Sequence, residues 1–470
     1  MLVSKTYDDL AVGDEASITR VVTPDDLYVF AHVSGDLNPL NLPTSGESGP
    51  ADAGSAAPAM WIGSLFSAVL GNVLPGPGTT YAAQTLRFYA RALVGDTLTV
   101  TVRVQEKRPP HTVVLQTHIK REDETIADGV AEVRAPAIGL ALTESVLPEL
   151  TVARHANVER LLAACRGLPR LVTAVVAPEE ALALEGALEA AHRGLIEPVL
   201  IGSIEKIRAV AAACRFSLDG CALEDVPDHD AAAARAVELV HAGRVAAVMK
   251  GFLHTDELLR QIVKSQGGLR TSRRISHVFV MDAPALAGLL LVTDAVVNIA
   301  PTLDDKVDIV QNAIDLALAL GIVEPKVGIL SAVETVSSKI PSTLDAAILS
   351  KMADRGQIRG GVVDGPLAMD NAVSVSSARA KGVVSAVAGR ADVLVVPNVE
   401  AGNILAKELI YAAQAEGAGI VLGAKVPIML TSRADDARSR LFSCIVAVLY
   451  NAWCVSGRSR MPAPARPGTA

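Results

Sequence analysis

Thr431-Ser432-Arg433-Ala434-Asp435-Asp436 brings a hydroxyl, a guanidinium and two carboxylates together on one short stretch. Ser432 and Arg433 make an anion grip, because a guanidinium presents a planar fork of donors and the hydroxyl adds another. A carboxylate beside such a grip can accept the proton of an attacking nucleophile. Asp435 and Asp436 equally suit a helix N-terminus, where a carboxylate satisfies exposed N–H groups, so capping and proton transfer both stay open for the pair. Other polar groups recur along the chain: Lys250 with His254, Thr255 and Arg260, then Asp282, Thr293-Asp294, Ser331, Asp364-Gly365-Pro366 and Pro397-Asn398.

Each of these groups follows a short apolar run that reads as a strand. Val426–Leu430 is the run before Thr431, and a helical pattern starts near Asp436 and continues through Tyr450. From about residue 157 to 455 such strands alternate with amphipathic stretches, among them Glu179–His192, Thr255–Ser265, Asp304–Leu320, Leu344–Ala353 and Ala401–Glu416. That alternation predicts a largely parallel sheet covered on both faces. Ligands of such sheets bind beyond the carboxyl ends of the strands, so the polar strand ends are expected to converge.

Residues 1–136 have a different texture. Period-two alternation over Thr80–Tyr89, Thr97–Val104, Thr112–Ile119 and Ala127–Val133 predicts strands, preceded by one apolar helix near Met60–Leu74. A sheet wrapped around that helix is the economical packing, with Gly63 and Gly71 allowing close approach. Residues 137–156 read as a linker, and the Pro/Arg/Gly/Ala-rich tail 456–470 as disordered. The loop Thr44–Ala57 carries little information beyond its small and turn-forming residues.

The chain is too long for one small core, and half of its 470 residues are apolar with 3% aromatic, the composition of a packed α/β enzyme. A net charge of −8 argues against a nucleic-acid binder. Five cysteines without CxxC spacing suit free thiols in a reducing compartment. The apolar run Ala59–Leu74 falls short of the ~20 residues that span a bilayer, and the acidic start lacks the apolar core of a signal peptide. A cytoplasmic location with no membrane partner is the expectation. No Walker A or G-x-G-x-x-G segment is present, nor a His/Cys/Asp cluster at metal-ligand spacing. Lys264, Arg270, Arg273 and Arg274 crowd with Arg260 into one basic region, where an exposed face and a phosphate site are both open readings.

Two resemblances sharpen this reading. Phe30-Ala31-His32-Val33-Ser34-Gly35-Asp36-Leu37-Asn38-Pro39-Leu40, Leu74–Thr79 and Val94–Leu98 resemble the MaoC-like hot-dog family. That family pairs an Asp with a His five residues later to add water to a 2-enoyl-CoA. Here Asp36 is matched, but Asn41 stands at the histidine position, and an amide is neither acid nor base near neutral pH. The family's His-Gly before the central helix is replaced by Pro58-Ala59-Met60-Trp61, and His32 lies four residues before Asp36, outside the family geometry. Impaired hydratase chemistry is therefore expected.

Residues 155–455 resemble the phosphate acetyl/butyryltransferase family. The matching stretches are Met249–Thr255 with Arg260, Ile275–Val278, Thr293–Ala295, Val297–Pro301, Val363–Ala372, Glu400–Lys407 and the Ser432-Arg433 segment. The resemblance implies a two-lobed α/β fold akin to the isocitrate and isopropylmalate dehydrogenases, with the site in the cleft. It also implies reversible transfer of an acyl group between CoA and phosphate, with CoA a substrate rather than a resident cofactor and no metal required. By this resemblance Ser432 and Arg433 are donors to the developing charge, and Asp435 or Asp436 is the base. Arg260 and Arg274 would meet phosphate, with Thr255 and Ser331 in support, while Asn403 and Lys407 would shape the cleft wall or meet CoA. The combined order resembles bifunctional enoyl-CoA hydratase/phosphate acetyltransferases. Hot-dog folds usually pair, so a homo-oligomer is expected, and acyl chain length stays open.

Overall fold

The structure is a computed structural model that describes residues 2–42, 54–142, 150, 152, 156–284, 286, 288–432 and 435–461. The chain divides into two compact units, Met1–Val152 and Ala153–Ala470.

In the amino-terminal unit, strands β1 (Leu2–Val3), β2 (Glu15–Val21), β3 (Thr80–Phe88), β4 (Thr97–Arg108), β5 (Thr112–Arg121), β6 (Glu124–Arg134) and β7 (Ala141–Leu142) accompany helices Pro24–Ser34 and Ala59–Asn72. Five strands form an antiparallel sheet in the order β2-β4-β5-β6-β3. Alternation decides the buried face: Leu98, Val100, Val102 and Val104 of β4 point inward between exposed Thr97, Thr99 and Arg103. That face packs against Trp61, Ile62, Leu65, Phe66, Val69 and Leu70 of the apolar helix. Gly63 does allow close approach, since a Cβ there would stand 2.8 Å from Leu86 Cδ1, whereas Gly71 has nothing within 4 Å and serves no such contact.

β1, β2 and helix Pro24–Ser34 carry little of the pattern that marks the other elements of this unit. β2 was missed because its residues are mostly exposed and polar, and helix Pro24–Ser34 because its strongest signal is the Thr23–Asp26 capping box. The expected linker is in part a strand, because β7 pairs with β1 through Leu2↔Leu142 and Val3↔Ala141. Most of the Thr44–Ala57 loop and of residues 143–155 lies outside the described residues.

The carboxy-terminal unit contains β8 (Leu171–Val176), β9 (Ile196–Gly202), β10 (Ala222–Asp225), β11 (Ala247–Lys250), β12 (Ser276–Asp282), β13 (Leu290–Thr293), β14 (Lys326–Leu330), β15 (Val362–Leu367), β16 (Val393–Val395), β17 (Glu416–Leu422) and β18 (Ile428–Met429). They make one eleven-stranded sheet in the order β10-β9-β8-β11-β18-β17-β12-β13-β16-β14-β15. Most neighbours are parallel, and the apolar runs of β8, β11 and β13 are buried almost throughout, as strands covered on both faces must be. The three pairings β18–β17, β17–β12 and β12–β13 are antiparallel. They reverse the polarity of the sheet at its centre.

The helix expected over Ala401–Glu416 ends at Tyr411, and Glu416 opens β17 instead. Helix Ala437–Ser456 runs through the core with Leu441 to Leu449 all buried. Among the described residues it is the one helix long and apolar enough to cross a membrane, and 56% of its window is buried inside the protein. The first residues of the tail expected to be disordered, 456–461, are ordered. Ser456 closes this helix, Ser459 Oγ donates to the Ala319 carbonyl at 3.0 Å, and only 462–470 lie outside the described residues.

Phe66 is fully buried at the centre of the amino-terminal core. Phe66→Ala is expected to destabilise that unit by about 3–5 kcal/mol. Denaturant unfolding of the full chain should show the transition of this unit moving while that of the carboxy-terminal unit stays in place.

Candidate active site

The order of the sheet sets the position of the site. The chain leaves β8 toward β9 and β10 on one side and returns to β11 on the other, so the connections diverge between β8 and β11. A crevice at the carboxyl ends of strands is expected at such a switch point. Gly251 N donates to the Val176 carbonyl at 2.8 Å and Phe252 N to the Ala177 carbonyl at 2.7 Å, which knits the two loops together. Ala177 adopts a left-handed conformation, φ 52°, that costs an L-residue about 1–2 kcal/mol. β18 lies beside β11, and its carboxyl end delivers Thr431 and Ser432 to this same edge.

Here the turn and its surroundings interlock. Ser432 N donates to Asp435 Oδ2 at 2.8 Å, and Asp435 N returns a bond to the Ser432 carbonyl at 3.3 Å. Lys250, 1% exposed, donates from Nζ to the Thr431 carbonyl at 3.1 Å. Arg440, fully buried on the helix that follows, reaches back to the same turn. Its Nη1 donates to Thr431 Oγ1 at 2.7 Å and the Lys250 carbonyl at 3.3 Å, and its Nη2 to the Ser432 carbonyl at 3.0 Å.

The two aspartates differ in their surroundings. Asp436 is the N-cap of helix Ala437–Ser456, its Oδ1 accepting from Ser439 N at 2.8 Å. Burial raises the Asp435 carboxyl above its ordinary value, and the neighbouring Asp436 adds to this. The Ser432 N–H, Arg440 and Lys250 oppose the rise. Arg433 lies outside the described residues.

The other expected site residues are distributed by the polarity of the sheet. Thr255 opens helix Thr255–Ile262 directly after β11, on the Ser432 edge. Arg260, exposed on that helix, lies 3.5 Å from Asp230 and 3.6 Å from Asp256. Asp282 also ends its strand toward the Ser432 edge, but its carboxylate accepts from Asn157 N, Asn157 Nδ2 and Val158 N and so anchors helix Ala156–Ala164.

Arg274 and Ser331 stand at the opposite edge. Leu430 is bonded to Gly419, which is paired with Phe279. Arg274 lies five residues before Phe279, about 16 Å away at ~3.3 Å per residue. Its Nε donates to Asn298 Oδ1 at 2.7 Å, and its Nη1 faces Asp305 at 3.4 Å. Ser331 Oγ pairs with Ser342 Oγ at 2.8 Å. Asn298, in turn, donates to buried Asp294, and Asn398 caps helix Val399–Tyr411. Asn403 Nδ2 donates to the Ala295 carbonyl at 3.2 Å, and Lys407 is exposed one turn further along. The strand ends therefore do not converge in one crevice. The sequence shows where strands end but not which way each one runs.

Arg440 was not singled out from the sequence. The available signal was a lone cation entering the apolar run Leu441–Leu449, four residues beyond Asp436. Among the described residues, no group of three or more His, Cys, Asp or Glu is placed to hold a metal. The buried thiols Cys165 and Cys444 are pushed up to about 12 by burial, so they stay protonated at neutral pH.

In the amino-terminal unit, Asp36 is bonded on both carboxylate oxygens. Asn41 Nδ2 donates to Oδ2 at 3.0 Å and Asn38 N to Oδ1 at 3.0 Å. His32 is exposed on its helix.

Comparisons with known proteins agree with the carboxy-terminal architecture. Residues 229–448 match the model of the family described as phosphate acetyl/butaryl transferase. The phosphate acetyltransferase of Rhizobium meliloti is 56% identical over 300 residues, which cover 64% of this chain and 95% of that relative. The phosphate butyryltransferase of Clostridium acetobutylicum is 42% identical over 278 residues, 59% of this chain and 92% of the relative. A branched-chain phosphotransacylase from Enterococcus faecalis superposes with a TM-score of 0.52 at 30% identity, covering 60% of this chain and 99% of that structure. The fold thus defines an α/β protein whose carboxy-terminal unit is built like a phosphotransacylase. The chain belongs to the phosphate acetyl/butyryltransferase family.

His277 of β12 is fully buried behind the turn, and neither ring nitrogen makes a well-formed hydrogen bond. Burial pushes its imidazole down to about 3, with the Leu430 backbone slightly opposing. The folded value lies below the unfolded one, so the unfolded chain takes up the proton first as pH falls. Stability present above about pH 6.5 should be lost at about 1.4 kcal/mol per pH unit down to about pH 3. In denaturant titrations at several pH values, His277→Gln should flatten this slope relative to the wild type. Equal slopes would mean that His277 is not buried in its neutral form.

Proposed function

We propose that the carboxy-terminal unit is a phosphate acyltransferase that interconverts acyl-CoA plus phosphate with acyl phosphate plus free CoA at the Ser432 edge. The observation that carries this reading is the half-buried Asp435 carboxylate held against the Ser432 turn. In the direction from acyl phosphate, Asp435 takes the thiol proton of CoA while sulfur attacks the carbonyl carbon. The C–S bond forms, the C–O bond to phosphate breaks, and phosphate leaves with the bonding pair. Ser432 and Arg433 supply donors to the carbonyl oxygen and the departing phosphate, where charge accumulates. A raised carboxyl is the better acceptor, because its value moves toward that of the proton it must take. Asp436 is already engaged as a cap.

Thr255 and Arg260 belong to the same edge and would face phosphate, whereas Arg274, Ser331, Asn403 and Lys407 would support the opposite edge. The polarity reversal at β17 and β12 supports reading the sheet as two lobes, akin to the isocitrate and isopropylmalate dehydrogenases.

The amino-terminal unit, 1–136, is read as a hot-dog domain joined through 137–156. Its sheet around one apolar helix supports that reading. It would bind acyl-CoA without hydrating an enoyl group, since Asn41 ties up the Asp36 carboxylate and cannot relay a proton. A fully bifunctional enzyme is the second reading, supported by the surviving Asp36. Exposed Tyr81, Phe88 and Tyr89 along the edge strand β3 support pairing with a second copy, and the whole reading is of a cytoplasmic enzyme.

Phosphate-dependent thiol release from acetyl-, propionyl- and butyryl-CoA tests the main reading. Arg433→Ala should lower turnover by about 10²–10³-fold, and undiminished activity would sink the assignment. Asp435→Asn should abolish turnover, while Asp436→Asn should cost about 1 kcal/mol of stability or less and keep activity. The wild type should leave crotonyl-CoA unhydrated, with measurable hydration appearing in Asn41→His. Robust wild-type hydration that disappears in Asp36→Ala would establish the bifunctional reading instead.

A further inference from the structure

We propose that Arg440 is a positioning residue for acyl transfer, its single guanidinium holding the Lys250 carbonyl, the Thr431 hydroxyl and the Ser432 carbonyl so that Thr431, Ser432 and the Asp435 carboxylate bonded to Ser432 N keep one arrangement. This inference rests on the reading of the Ser432 turn as the site. Arg440 is fully buried, and all three of its partners belong to the carboxyl ends of β11 and β18 or the turn itself. A buried cation is costly unless it is paired and bonded, and a hydrophobic side chain on this core helix would fill the space without that cost. The position is also shaped for this side chain. A Cβ at Gly186 would come within 2.7 Å of both Arg440 Cβ and Cδ, so the neighbouring helix Ala181–His192 leaves room for the stem alone. Lysine has the charge but not the fork, and could not reach two carbonyls and a hydroxyl with fixed geometry.

Arg440 also acts on Asp435 through space. Among the described residues, the charged and titratable groups around that carboxylate are Asp436, Lys250 from β11 and Arg440 from the following helix, with Glu180 and Cys444 facing Arg440 in turn. Arg440 and Lys250 favour the carboxylate, and Asp436 opposes it.

The experiment measures kcat, KM and the pH profile of CoA acylation by acyl phosphate with the full chain. Arg440→Met should lower kcat on the order of ten- to hundredfold, as a displaced reacting geometry does, with KM changed by roughly twofold at most. The acid limb of its profile should move to higher pH, because the cation favouring the Asp435 carboxylate is gone. Arg440→Lys keeps the charge and loses the fork, so its kcat should fall with the acid limb in place. Gly186→Ala, which crowds the stem and keeps the charge, should show a smaller fall of the same kind.

Wild-type kcat in Arg440→Lys, or an unmoved acid limb in a folded Arg440→Met, would overturn the proposal. If Arg440→Met does not fold, the lysine and alanine variants decide. A wild-type chain without acyl transfer would instead overturn the functional reading beneath it.

Discussion

A guanidinium taken out of water needs acceptors on its fork, and Arg440 finds them at the ends of two neighbouring strands. Burial lowers its affinity for the proton, and the nearby Asp435 carboxylate restores part of it. An arginine so placed stays charged. The arrangement makes three segments interdependent: the end of β11, the turn after β18, and the first turns of helix Ala437–Ser456. Movement of any one of them would leave a buried polar group unpaired, which is expensive in a low-dielectric interior. The Ser432 turn is therefore not an ordinary surface loop, although Ser432 itself reaches solvent.

The polarity of the sheet is the second constraint. Three antiparallel pairings at its centre direct β8, β9, β10, β11, β18 and β12 toward one edge, and β13, β14, β15, β16 and β17 toward the other. Polar strand ends that look equivalent in the sequence consequently have different fates. Lys250 and Thr431 meet, while Asp294, Asn298 and Arg274 build a separate network in which every carboxylate oxygen of Asp294 is bonded. Asp282 and Asn398, which could have been chemical, are anchors for helix starts. Helix N-termini require such partners, and they drew on the same residue types that catalysis uses.

In the amino-terminal unit the chain turns after helix Pro24–Ser34 and brings Asn41 to Asp36. The Asn41 amide donates to the carboxylate and cannot exchange a proton near neutral pH as an imidazole could.

Much of the architecture was legible in the chain itself. Period-two alternation marked β4 to β6, and apolar runs between amphipathic stretches marked most of β8 to β18, because these patterns follow from which faces are buried; β3 was marked by its residue types although it is exposed along most of its length. Elements with weak burial, such as β2 and β10, left little pattern to read. The residue types of the Ser432 turn and of Asp36 and Asn41 were likewise read directly from the chain. Only the tertiary structure separated Asp435 from Asp436, because local sequence cannot say which carboxylate meets the helix N-terminus and which is held, half-buried, against Ser432. Nor could it say that Arg274 and Ser432 stand apart, since strand direction depends on pairing between segments more than a hundred residues distant. Side-chain chemistry was written locally, and the company each side chain keeps was decided by the direction in which the strands run.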